Sequence, residues 1–173
     1  MTAARVLAEL NVATAETMHE FGLALARVLQ PGDLVLLTGP LGAGKTTLTR
    51  GVGEGLGVVG SVSSPTFVIA RTHHLSGEKS GNAGVHSAST PFVHVDAYRL
   101  GTPAELDDLD IDFANSIVLV EWGLGFTDGI SESWLEVEIE RDHTGETEVR
   151  AVKVSGFGPR WQDAAAIEFG GAA

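Results

Sequence analysis

Gly39, Gly44, Lys45 and Thr46 stand at the fixed positions of G-x-x-x-x-G-K-[ST], the spacing of a phosphate-binding loop, or P-loop. Glycine here lets the main chain approach a ligand closely, so that successive N–H groups turn inward around a phosphate. The positive end of the following helix dipole adds to that attraction. Lys45 supplies a point charge for the β- and γ-phosphates, and the Thr46 hydroxyl is suited to ligate Mg²⁺. Gly39, Leu41, Gly42, Ala43, Gly44, Lys45, Thr46 and Thr47 form the expected nucleotide-binding set. The chain is therefore read as binding a nucleoside triphosphate.

Such a loop works only between a strand and a helix, and the flanks supply both. Leu34 to Leu37 is a short apolar run, as in a strand buried on both faces of a parallel sheet. Beyond the loop, Leu48, Val52 and Leu56 recur at four-residue spacing along one helical face. Gly51, Gly53 and Gly55 fall inside that helix, where each costs about 1 kcal/mol relative to alanine. Close packing against a neighbouring backbone and a frayed end explain them equally. Gly57 fits a C-cap.

A P-loop needs a carboxylate across from it, to order Mg²⁺ and its waters or to orient an attacking group. That acid belongs at the carboxyl end of a neighbouring parallel strand. Asp96 after Phe92-Val93-His94-Val95, and Glu121 after Ile117-Val118-Leu119-Val120, both qualify. A polar residue closing a strand or capping the next turn is the competing explanation for each. Either acid, or both, should face the triphosphate, so Lys45, Asp96 and Glu121 are the candidate catalytic residues.

The rest of the chain has to carry this site. Ala4 to Leu10 reads as a short strand. Thr14 is a candidate N-cap for a helix of about four turns with Met18, Phe21, Leu25, Val28 and Leu29 facing a core, ended by Pro31-Gly32. Phe67 to Ala70 is strand-like. Residues 73–90 are rich in Gly, Ser and His and read as a mobile surface loop, its histidines solvated rather than metal-binding. Thr102, Pro103 and Glu105 form a helix start with a capping box. Leu135, Val137 and Ile139 alternate with glutamates in a half-buried strand, and residues 148–154 supply its antiparallel neighbour. Residues 156–173 read as a weakly ordered tail in which Arg160-Trp161-Gln162-Asp163 starts a last helix. The expected fold is α/β: a single P-loop NTPase-like domain over residues 1–173, its mostly parallel central sheet flanked by helices, with antiparallel strands toward the C-terminus.

Bulk composition narrows the partners. With 173 residues the chain is one ordinary domain. It has no apolar run long enough to span a membrane and no basic-then-apolar leader. The absence of cysteine excludes disulfides and thiol catalysis and fits a cytoplasmic protein. A net charge of −12, with 11 scattered Lys and Arg, argues against direct tight binding of nucleic acid. Any such role would run through a partner.

Taken in order and spacing, GPLGAGKTT, SPTF, HVDAYRL with a following Pro-x-Glu-Leu, and LVEWG resemble the bacterial TsaE family (formerly YjeE), over residues 14–140. The family consists of small P-loop ATPases required for threonylcarbamoyladenosine formation on tRNA. The resemblance implies that Lys45 and the backbone of Gly42, Ala43 and Gly44 hold the phosphates of ATP. It implies that Thr46 and Glu121 bind Mg²⁺ and that Asp96 plays a Walker-B-like role or assists hydrolysis. Thr66 would lie on a switch-like segment near the γ-phosphate, and the adenine near Thr14 and Ala15. Trp122 matches a family tryptophan, although packing accounts for it equally. The implied partners are the TsaB and TsaD proteins, with hydrolysis resetting the assembly rather than transferring a phosphoryl group. Two departures stand out. The family usually has an acid where Pro40 stands, which leaves that acid's contacts open here, and the 73–90 loop is longer than usual.

Two other functions compete. A small-molecule kinase needs a lid or acceptor pocket, often with arginines, yet besides Lys45 only Arg50, Arg71 and Arg99 are candidate cations. A nucleotide-gated binding module that barely hydrolyses ATP would resemble a slow ATPase when studied without partners.

Overall fold

The computed structural model describes residues 3–40, 42–60, 62, 69–75, 90–122, 130–142 and 144–167. Seven strands form one sheet in the order β1-β7-β6-β2-β5-β4-β3. They are β1 (Arg5–Val12), β2 (Leu34–Thr38), β3 (Ala70–His74), β4 (Pro91–Asp96), β5 (Ile117–Glu121), β6 (Trp134–Arg141) and β7 (Arg150–Phe157). The pairs β2–β6, β2–β5 and β4–β5 are parallel, whereas β1–β7, β6–β7 and β3–β4 are antiparallel. The sheet is thus mixed, not mostly parallel. Its parallel part is the central block of β6, β2, β5 and β4, and antiparallel strands close both edges. The short turn between β6 and β7 forces an antiparallel pair, since a parallel return needs a crossover. β1 then joins the far side of β7, which no local pattern in residues 5–12 announces.

The two innermost strands, β2 and β5, are apolar until their last residue because both of their faces are covered. Val35 and Leu37 of β2, with Ile117 and Leu119 of β5, pack beneath α1 (Ala15–Ala26) and α2 (Lys45–Leu56). Leu34 and Leu36, with Val118 and Val120, face the opposite layer, where Leu106 of α3 (Pro103–Asp107) sits. Caps set the helix boundaries. The Thr14 hydroxyl accepts from Thr17 N–H at the start of α1, and Thr102 and Glu105 complete a capping box on α3. The α1 helix stops at Ala26, so Val28 and Leu29 lie in turns just past it. No helix among the described residues is long and apolar enough to cross a membrane.

Two stretches differ from their compositional reading. His73 and His74 end β3 rather than opening a loop, and Leu75 and Thr90 are buried; residues 76–89 lie outside the described residues, as do Phe67 and Val68. Residues 156–167 are not a loose tail. Trp161 of α4 (Pro159–Gln162) is buried, and Ile167 N–H bonds to the Leu7 carbonyl. Burial of one indole and one isoleucine side chain outweighs the glycine content there.

Arg160 clamps this end of the sheet. Its guanidinium lies 3.2 Å (Nε) from Asp33 Oδ1, donates to Val28 O at 3.1 Å and stacks 4.1 Å above the Trp161 ring. Burial raises the pKa of Asp33, opposed by the Gln30 N–H and by Arg160. Arg160→Ala is expected to destabilise the fold by about 2 kcal/mol at pH 7. That is below the ~3–5 kcal/mol for breaking a fully buried pair, because the arginine is partly exposed. A raised carboxylate pKa means that the folded state holds its proton more tightly than the unfolded one. The penalty should therefore shrink as the pH falls from 7 through that raised value. Urea unfolding at both ends of the range tests this, and an equal penalty at both would assign the loss to packing.

Candidate active site

β2 delivers the chain to the loop, and α2 carries it away. Gly42 and Gly44 have φ of 76° and 105°, values that L side chains rarely adopt. Gly44 is the N-cap of α2 and has no side chain to cap that end, so its own side offers the first amides of the helix no acceptor. Lys45 Nζ donates to Gly39 O at 2.7 Å and Pro40 O at 2.9 Å, and lies 4.3 Å from the centre of the Trp122 ring. Burial lowers the Lys45 pKa, while the charges of Glu121 and Asp96 oppose that shift. Pro40 therefore contributes a carbonyl at the point where a side-chain acid is absent.

The two acids meet across the β4–β5 pair, where Asp96 and Glu121 are in direct register. Both end their strands, and both share the sheet face covered by α2, by parity with Phe92 and Leu119. Asp96 Oδ1 accepts from Tyr98 N–H at 3.1 Å, capping a 3-10 turn over Ala97–Arg99. Capping and a cleft position thus coexist at Asp96. Glu121 is 4% exposed and its Oε1 has no hydrogen-bond partner among the described residues. Trp122, with φ 61°, follows immediately and is anchored by a bond from its N–H to Leu37 O.

Together these groups line a cleft of about 720 Å³ that takes in Gly42, Gly44, Lys45, Thr46, Thr47, Asp96, Glu121 and Trp122. The structure thus brings Lys45, Asp96, Glu121, Thr46 and Thr47 together; Gly39 binds Lys45 through its carbonyl, and Ala43 is buried behind the loop. Leu41 and Thr66 lie outside the described residues. Of the candidate cations, Arg99 lines the cleft. Arg50 Nε instead donates to Val62 O, and Arg71 is on β3 opposite His94. On the other side of the loop, a hollow of about 360 Å³ is bounded by Thr14, Ala15, Met18, Gly44, Glu148 and Arg150.

Some residues here escaped the sequence reading. Tyr98 is 73% exposed at the cleft rim, its ring centre 5.7 Å from that of Trp122. Arg141, at the end of β6, reaches to 3.6 Å from where a Cβ of Gly42 would stand. Glu148 and Arg150 reach the second hollow from a distant hairpin. Only tertiary pairing places Arg141, Glu148 and Arg150, so no motif spacing could reveal them, whereas Tyr98 follows Asp96 by two residues and was within reach of the sequence. His94 was legible in principle, being two residues before Asp96 on the same strand face.

Known proteins resemble the chain closely. The family model described as "Threonylcarbamoyl adenosine biosynthesis protein TsaE" matches residues 12–150. A Streptomyces coelicolor protein named tRNA threonylcarbamoyladenosine biosynthesis protein TsaE is 51% identical over 152 residues, covering 85% of this chain and 95% of that protein. A Bacillus subtilis protein of the same name is 37% identical, covering 72% of each chain. The crystal structure of YdiB from Bacillus subtilis superposes with a TM-score of 0.65 at 26% identity, covering 93% of this chain and 90% of that one.

Proposed function

The chain belongs to the TsaE family, and from that premise we propose that it is a Mg²⁺-dependent ATPase of tRNA threonylcarbamoyladenosine formation that acts on a TsaB–TsaD complex. One observation carries the reading: an uncapped helix start bearing Lys45 and Thr46 faces two strand-end acids across a single cleft.

The donor set suits a metal-bound triphosphate. The amides around Gly42 to Lys45 would hold phosphate oxygens, and the Lys45 ammonium would leave the Gly39 and Pro40 carbonyls to join them. Thr46 and Glu121 are the ligands proposed for Mg²⁺, since a hydroxyl and a buried carboxylate line the same cleft, an oxygen donor set that suits this ion. Bound Mg²⁺ supplies neutralisation of the charge that develops on the transferring phosphoryl group. Asp96 keeps one oxygen on the Tyr98 amide and would use the other to orient an attacking water. The hollow beside Thr14 and Ala15 is proposed to take the nucleoside. Thr66 is proposed to sense the γ-phosphate. The net charge of −12 favours docking on proteins over gripping tRNA directly, consistent with a cytoplasmic accessory factor.

Purified protein with ATP and Mg²⁺ should release phosphate slowly, and faster when TsaB and TsaD are added. A phosphorylated small molecule as the product would replace this reading with a kinase. Glu121→Ala is expected to keep metal-free ATP binding while Mg²⁺-dependent turnover falls by about 10²-fold or more. Unchanged turnover would remove Glu121 from the site.

A further inference from the structure

His94 stands in the middle of β4 with no exposure at all, between apolar neighbours that would welcome a leucine or phenylalanine. Its Nε2 lies 3.5 Å from Glu121 Oε1. Neither of those atoms, nor His94 Nδ1, has a hydrogen-bond partner among the described residues. Burying an imidazole without a hydrogen-bond partner is costly, so such a group in a strand core calls for a reason. The pairing register supplies one. Asp96 lies directly opposite Glu121, whereas His94 lies opposite Leu119, one step deeper on the same face. The ring therefore reaches the carboxylate from behind, from the side away from the cleft mouth.

We propose that His94 is a positioning residue for Glu121. A ring carrying a proton on Nε2 closes the 3.5 Å gap to a hydrogen bond, holds Oε1, and leaves the other carboxylate oxygen aimed at the cleft. The ring gives up no proton in this role; it restricts the rotamers open to Glu121. The assignment rests on the reading of Glu121 as a Mg²⁺ ligand, and it adds the group that fixes that ligand's geometry.

The test is a Mg²⁺ titration of nucleotide binding, followed with a fluorescent ATP analogue, in parallel with turnover and thermal unfolding. His94→Phe fills the ring's volume without a donor. It is expected to bind nucleotide normally without metal, yet to need about 10- to 100-fold more Mg²⁺ for half-maximal effect. His94→Gln places an amide donor near the Nε2 position and should restore most of the Mg²⁺ response, which a purely packing role would not allow. In a Glu121→Gln background, His94→Phe should add nothing further. A His94→Phe protein that titrates Mg²⁺ like wild type overturns the proposal. So does a glutamine variant no better than phenylalanine, or an additive loss in the double variant. Should His94→Phe fail to fold, the comparison of His94→Gln with His94→Asn decides, because asparagine is too short to present a donor to Oε1. If Glu121→Gln alone leaves the Mg²⁺ response intact, the reading of Glu121 falls first and takes this one with it.

Discussion

Lys45→Ala is expected to weaken ATP binding by about 100-fold or more while the protein still folds. In the structure the ammonium is engaged by the Gly39 and Pro40 carbonyls and by the face of Trp122. Those contacts hold the lysine at the cleft without satisfying a phosphate. A charge-assisted hydrogen bond is worth about 1.5–3 kcal/mol, and the upper value corresponds to roughly 100-fold in affinity. The triphosphate would also lose the cation held within the loop while Asp96 and Glu121 still line the cleft, which adds to the loss. Folding should survive, because the vacated carbonyls border an open cleft that water can enter. Isothermal titration gives the affinity and a thermal melt gives the control. An alanine variant that binds within a few-fold of wild type would show that the loop amides alone hold the nucleotide.

How much of this was legible follows from how local each signal is. The loop, the strand before it and the helix after it are contiguous, so Gly39 to Thr46 reads directly. Asp96 and Glu121 were recognisable because each closes an apolar strand, a pattern set by burial on two faces. Their register against each other was not legible, since it depends on pairing between segments more than twenty residues apart. The edges failed for the same reason. The sequence 5–12 has strand character, but its place beside β7 is decided only when the β6–β7 hairpin presents a free edge. His73 was misread as part of a loop because glycine and serine dominate the residues that follow. Its ring packs on Phe92 of β4, an interaction between strands that composition cannot report.

The glycines of α2 lead to the second large effect. Gly51→Ala should destabilise the protein by about 2–4 kcal/mol, at and above the upper end of the usual overpacking loss because main-chain atoms stand in the way, although helix propensity alone predicts a gain of about 1 kcal/mol. A Cβ at Gly51 would overlap the His19 carbonyl oxygen and come to 3.0 Å from Gly22 Cα. A Cβ at Gly22 would in turn press on the backbone of Leu48, Gly51 and Val52. The obstacles are main-chain atoms on both sides, so no rotamer change relieves them. Of the two explanations for glycine here, close helix packing is the one observed; Gly57, with φ 85°, ends the helix as a C-cap. The helices cannot simply separate, because both also pack on the sheet through Phe21, Leu25, Leu48 and Val52. For a chain of this size the loss corresponds to a drop in Tm of roughly 4–16 °C. Because α2 begins at Lys45 and Thr46, any shift of the helix that relieves the clash also displaces the phosphate-facing residues. ATP affinity should therefore fall together with stability, unlike Arg160→Ala, which loosens the opposite end of the sheet and should leave affinity unchanged. A Gly51→Ala protein that melts higher than wild type would mean that propensity wins and that the two helices have room to part.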